Sequence, residues 1–109
     1  MTREIDVRVA REVMGFVDHD NDGAFPTMKT PDNKIVVPPS YSTDMNAAME
    51  VVEKMREDGW CWFKVFAMPK AVWTASFSRS HDGKITANAA TPAIAICLAA
   101  LETMKGEML

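Results

Sequence analysis

Between residues 60 and 89 the chain carries three strand-like runs in close succession, WCWFKVFA, AVWTASFS and KITANAA, with only turn-length separators. Connections that short join antiparallel neighbours, because a parallel return needs a crossover of a dozen residues or more. The side chains also constrain the pairing. With Ala67 opposite Ala71 across Met68-Pro69-Lys70, residues Cys61, Phe63, Val65 and Ala67 share a face with Ala71, Trp73, Ala75 and Phe77. Every member is apolar, so this is the expected core face. A two-residue second turn, Asp82-Gly83, sets Ile85, Ala87 and Ala89 opposite serines. A three-residue turn, His81-Asp82-Gly83, sets them opposite Arg79, Phe77 and Ala75 on the core face, and is preferred.

The opposite face then holds Trp60, Trp62, Lys64, Phe66, Val72, Thr74, Ser76, Ser78, Thr86 and Asn88. Trp60, Ser78 and Thr86 are expected in one cross-strand row, and Trp62, Ser76 and Asn88 in the next. Large aromatics beside small hydrogen-bonding side chains can stack on and read a flat ligand such as a nucleobase. The candidate ligand-binding residues are Trp60, Trp62, Lys64, Ser76 and Asn88. The competing expectation is that an amphipathic helix covers this face, with the hydroxyls at its rim.

Three helices accompany the strands. Ile5, Val9 and Val13 recur at helical spacing, and Gly15 ends that run. From residue 42, Ser42, Thr43 or Asp44 can cap a helix whose buried stripe is expected to be Met45, Met49, Val52 and Met55. Gly59 supplies its left-handed stop. Thr91-Pro92 opens the last helix as a cap followed by the residue best suited to a first helical position. Ile94, Leu98 and Leu101 lie along it, and it is apolar nearly all round from Ala93, which makes it the helix expected to be most buried. Residues 16–41 are rich in Pro, Gly, Asp and Asn, and read as a loose hairpin or meander.

Within that meander, Asp18-x-Asp20-x-Asp22-Gly23 opens like a helix–loop–helix calcium site. Such a loop needs a bidentate carboxylate at its twelfth position, and that position is Lys29. The run FPTMKTPDNK also carries two prolines where an exiting helix should begin. The motif reads as a turn, and no metal or cofactor is expected. His19 and His81 read as solvated turn residues, with no nucleophile near either in sequence. No phosphate-binding glycine loop or nucleophile elbow appears, so the chain is expected not to be an enzyme.

At 109 residues the chain is sized for one domain. Its net charge of -3 and scattered cations argue against a nucleic-acid binder. The longest apolar stretch, PAIAICLAAL, is about half a bilayer span, and the charged N-terminal residues do not read as a signal peptide. Cys61 and Cys97 sit in apolar segments without metal spacing and are expected to be buried thiols in a reducing cytoplasm.

Three blocks, REIDVRVAREVMGF, VPPSYSTDMNAAMEVVEKM and ATPAIAICLAALE, resemble in order the small bacteriophage proteins grouped as the phage ABA sandwich domain. The specific parts are the Tyr-Ser-Thr-Asp block before an alanine-rich helix and the Thr-Pro block before the last one. Ser40 interrupts the family's usual Pro-Pro-Tyr, and the Asp-rich turn is peculiar to this chain. The resemblance implies a phage origin and an α/β sandwich with helices on both faces of a sheet, and no common activity. The expected fold is α+β, with a mostly antiparallel sheet of about 4–5 strands and three helices. The expected role is a non-enzymatic accessory protein that inhibits a host antiviral defence, by sequestering a nucleotide signal or blocking a host defence protein. A structural or housekeeping role, or a small nucleotide-processing enzyme, is the alternative. A sponge of this size is expected to be a homo-oligomer, since one short sheet buries little of a dinucleotide.

Overall fold

The computed structural model describes residues 2–20, 27–79 and 83–107. In chain order these form α1 (Thr2–Glu12), β1 (Val17–Asp20), β2 (Thr27–Lys29), β3 (Ile35–Val36), α2 (Met45–Glu57), β4 (Trp62–Met68), β5 (Val72–Arg79), β6 (Gly83–Ala89) and α3 (Pro92–Glu107). The fold is α+β, as expected. Its six described strands form two antiparallel three-stranded sheets, β1-β2-β3 and β4-β5-β6, instead of one sheet of four or five.

α3 occupies the middle of the molecule. Thr91 Oγ1 accepts the backbone N–H of Ile94 at 3.2 Å, and Pro92 starts the first turn where no N–H is needed. Ala93, Ala95, Ile96, Cys97, Ala99, Ala100 and Leu101 are buried around most of its circumference. The sheet β4–β6 packs on one side of it, and α1 and α2 pack on the other. Its alanines let those neighbours approach closely. The buried Thr103 satisfies its hydroxyl by donating to the Ala100 carbonyl at 2.6 Å. The described helices therefore stack on one side of β4–β6, where a helix layer on each face was expected.

α2 is capped by Asp44, which accepts from Asn46 N–H at 2.9 Å, and is stopped at Gly59 with φ 103°. Its buried stripe is Ala47, Ala48, Val51, Val52 and Met55, while Met45 and Met49 are exposed. Both stripes repeat with a helical period. The small residues win because they bring the helix axis close to the alanines of α3. α1 buries Val9, Ala10 and Val13 and ends at Gly15 with φ 80°. Its buried Asp6 accepts the Ser42 N–H at 2.7 Å, and Arg3 donates to the Pro38 carbonyl at 3.2 Å. Together these bonds hold the segment that buries Tyr41.

In the second sheet the pairs are Phe63↔Phe77, Val65↔Ala75 and Ala67↔Trp73, then Phe77↔Ile85, Ala75↔Ala87 and Trp73↔Ala89. Both hairpins are displaced from the expected register by two residues. A slide of two keeps every side chain on its face, so the core side survives. Met68 pairs with Val72, so Ala71 belongs to the turn, where Lys70 and Ala71 take positive φ of 66° and 57°. Gly83 pairs with Arg79 in the strand, where a turn position was expected. The Phe63 and Phe77 rings meet at 5.1 Å over α3. Trp73, placed nearer the sheet's end by the slide, is only partly buried. Among the described residues no helix is long and apolar enough to cross a membrane.

Candidate functional site: the open face of β4–β6

Among the described residues, no helix covers the face of β4–β6 turned away from α3. Its rows are Trp62–Ser78–Lys84, Lys64–Ser76–Thr86 and Phe66–Thr74–Asn88. Trp62 is 58% exposed, Phe66 43% and Met68 44%, so β4 forms an apolar wall along one side. Thr74 and Ser76 lie beside it in the central strand and are buried, because larger side chains flank them on both strands. They form a low polar floor. Thr74 Oγ1 donates to Asn88 Oδ1 at 2.8 Å, which uses the amide oxygen and leaves the NH2 as its donor toward a ligand.

The charge on this face has one sign. Lys64 and Lys84 are its charged residues, with no carboxylate among the described positions. The segment around it is cationic too: from Gly59 to Leu101 the sequence has Lys64, Lys70, Arg79 and Lys84 against a single acid, Asp82. That segment is formally +4 − 1 = +3, so the rest of this -3 chain carries −6. A flat surface with an exposed indole, hydroxyls, an amide and two ammonium groups can hold a planar anionic molecule.

Of the five expected ligand residues, Trp62, Lys64, Ser76 and Asn88 lie on this face, but Trp62 shares its row with Ser78 and not with Ser76 or Asn88. Trp60 does not belong to it. Its backbone N–H bonds to the Met55 carbonyl at 3.0 Å, as the turn that ends α2 requires, and β4 begins only at Trp62. The alternation therefore fails before the strand starts. Trp60 turns inward to 5% exposure, under the Arg79 guanidinium at 4.6 Å from its ring centre. Cys61, expected in the core, turns outward with its thiol toward the Gly59 carbonyl at 3.5 Å. Phe66, Met68 and Lys84 complete the face although they were not among the candidates. Lys84 shares the parity of Thr86 and Asn88, which was the available signal.

Elsewhere the polar groups have structural work. Asp18 of the calcium-like motif lies in β1 and is held by Arg11 at 2.9 and 3.2 Å, and Lys29 lies in β2 where an exiting helix would start. The rest of that motif, Asp22 and Gly23, expected to form a turn, and His81 lie outside the described residues; His19 contacts Thr27 Oγ1 at 3.3 Å. The Cys97 thiol is pushed up to about 12, first by burial and then by the nearby Asp6, so it is no nucleophile. Burial also raises the Tyr41 phenol, with added repulsion from Glu50, Cys97 and Asp6. A cleft of about 510 Å³ runs between α1, α3 and β6, with Arg8, Lys84 and Glu102 around Ile85, Leu98 and Leu101.

The family profile described as "Phage ABA sandwich domain" matches residues 8–101. The chain belongs to this family. A 2.0 Å crystal structure of a phage protein from Bacillus cereus ATCC 14579 is similar at 24% identity, with a TM-score of 0.74 over 93% of this chain and 89% of that one. The second likeness is one of fold. No functionally curated protein matches the chain. In this phage ABA sandwich protein, the open face of β4–β6 exposes Trp62, Phe66 and Met68.

Proposed function

We propose that this phage protein is a non-enzymatic accessory factor that acts in the host cytoplasm by binding, and that it disables an antiviral defence by sequestering a nucleotide signal. The observation that carries the reading is Trp62, more than half exposed on a cationic face floored with hydroxyls. A solvent-facing indole beside lysines suits a base and its phosphate, since stacking is indifferent to base identity and the ammonium groups compensate the anion. Phage membership supports the defence context by association, as fold and family do not dictate activity. The second reading, that the face covers a host defence protein, draws on Phe66 and Met68, which extend the apolar wall beyond what one ring needs.

The test is thermal stabilisation by a panel of mono-, linear di- and cyclic dinucleotides. Trp62→Ala should keep the fold and weaken binding roughly tenfold or more, the worth of one stacked ring. Trp60→Ala should lose stability instead. A panel that leaves the melting temperature unmoved, together with a host protein that co-purifies and is lost on Phe66→Ala, would replace this reading by the second.

A further inference from the structure

The most apolar strand of the second sheet is also its least covered. β4 reads WFKVFAM, six apolar residues of seven, and none of the seven is buried. Its strand neighbour is β5, on one edge only. Among the described residues, the other edge presents every second backbone N–H and C=O with no strand beside it. β6, at the far edge of the sheet, is built differently. It reads GKITANA, with a lysine, an asparagine, a glycine and small side chains. Sheets blunt their free edges in that way, and a long flat apolar edge invites pairing.

We infer that the partner of β4 is a second copy of this chain, added antiparallel to form one continuous six-stranded sheet. The strand itself supplies the register. A two-fold axis at Val65 pairs all seven residues: Trp62 with the partner's Met68, Phe63 with the partner's Ala67, Lys64 with the partner's Phe66, and Val65 with the partner's Val65. An axis at Lys64 or Phe66 leaves strand residues unpaired, and the Lys64 axis also opposes two ammonium groups. With the axis at Val65, each ammonium lies beside the partner's phenyl ring, which attracts it. A contact of this kind, the same strand on both copies, closes on itself and stops at two. An edge about 24 Å long makes a small interface, so the dimer depends on concentration.

The pairing stands on β4 alone; its consequence for a ligand rests on the function proposed above. On the joined open face, Lys64 and the partner's Lys64 take diagonal positions about 7–8 Å apart. Each lies within its own β4, between Trp62 and Phe66. The doubled site matches a ligand with two anionic groups and two planar rings, and each copy alone holds half of it.

The experiment measures mass by light scattering across roughly a hundredfold range of concentration, wide enough to span a weak interface. The wild type should rise from 12.1 kDa to twice that mass. Phe66→Lys with Met68→Lys, both at exposed positions, should stay at 12.1 kDa with an unchanged circular dichroism spectrum. A second measurement reads the register. In a Cys61→Ser background, Val65→Cys should oxidise to a covalent dimer, because the axis sets it opposite itself. Ala67→Cys should not, because it faces the partner's Phe63. A wild type that stays monomeric throughout overturns the inference, as does a dimer in which Val65→Cys fails to cross-link or Ala67→Cys links equally well. A Val65→Cys-linked dimer that no nucleotide stabilises supports the pairing and removes the ligand reading.

Discussion

Replacing Phe77 by alanine tests the sidedness on which the site depends. Phe77 is fully buried in the central strand, stacked near Phe63 and set against α3. Removing a buried phenyl costs about 3–5 kcal/mol, part of it the lost aromatic pair. A domain of this length has roughly 5–15 kcal/mol in total, so the variant should lose from about a fifth of its stability to all of it. In a small domain each kcal/mol moves the melting temperature by about 4–8 °C, so a fall of at least ~12 °C is expected. Trp62→Ala removes a larger ring, but one more than half in water, and should cost less than about 1.5 kcal/mol. Urea titration followed by circular dichroism compares the two at equal slope. If Trp62→Ala loses as much stability as Phe77→Ala, the open face is covered in solution, and the proposed site with it.

Ala71→Gly should stabilise the protein by about 0.5–1 kcal/mol in the same titration, because glycine relieves a left-handed φ of 57° that alanine adopts at a cost. Millimolar calcium should leave the melting temperature unchanged, since Arg11 holds Asp18 and a cation stands at position 29; a micromolar site would add about 4 kcal/mol, reversible by a chelator. Cys97 has a folded value raised from 9.0 to about 12, so the stability it confers is complete below pH 9 and is lost as the pH rises toward 12. Alkaline unfolding should steepen across that window by up to about 1.4 kcal/mol per pH unit, and Cys97→Ala should flatten it.

The legible parts of this fold were the local ones. Asp44, Gly59, Thr91 and Pro92 act through bonds spanning a few residues, so the ends of α2 and the start of α3 followed from the sequence. The two faces of β4–β6 were legible because a period of two is unchanged by a slide of two, although the pairing itself was displaced. What failed depended on packing. Hydrophobicity favoured Met45 and Met49 for the buried stripe of α2, whereas the close approach to α3 selected Ala47 and Ala48. Trp60 was misplaced because the bond from its N–H to Met55 ends a helix, and strand alternation cannot be counted back through it. The site inherited both outcomes: Trp62, Lys64, Ser76 and Asn88 share a face, and Trp60 is core.

The central position of α3 sets an order of events during synthesis. The sheet β4–β6, α1 and α2 all lean on a helix that is translated after them. From Met68, the end of β4, to Glu107, the end of α3, there are 39 residues, roughly 2–8 s of elongation at about 5–20 residues per second. WFKVFAM therefore leaves the ribosome ahead of the helix that backs its sheet by about that interval. A nascent chain therefore passes through a stage in which its stickiest strand has neither its core nor its partner, and helix α3 closes the structure in one late, long-range step.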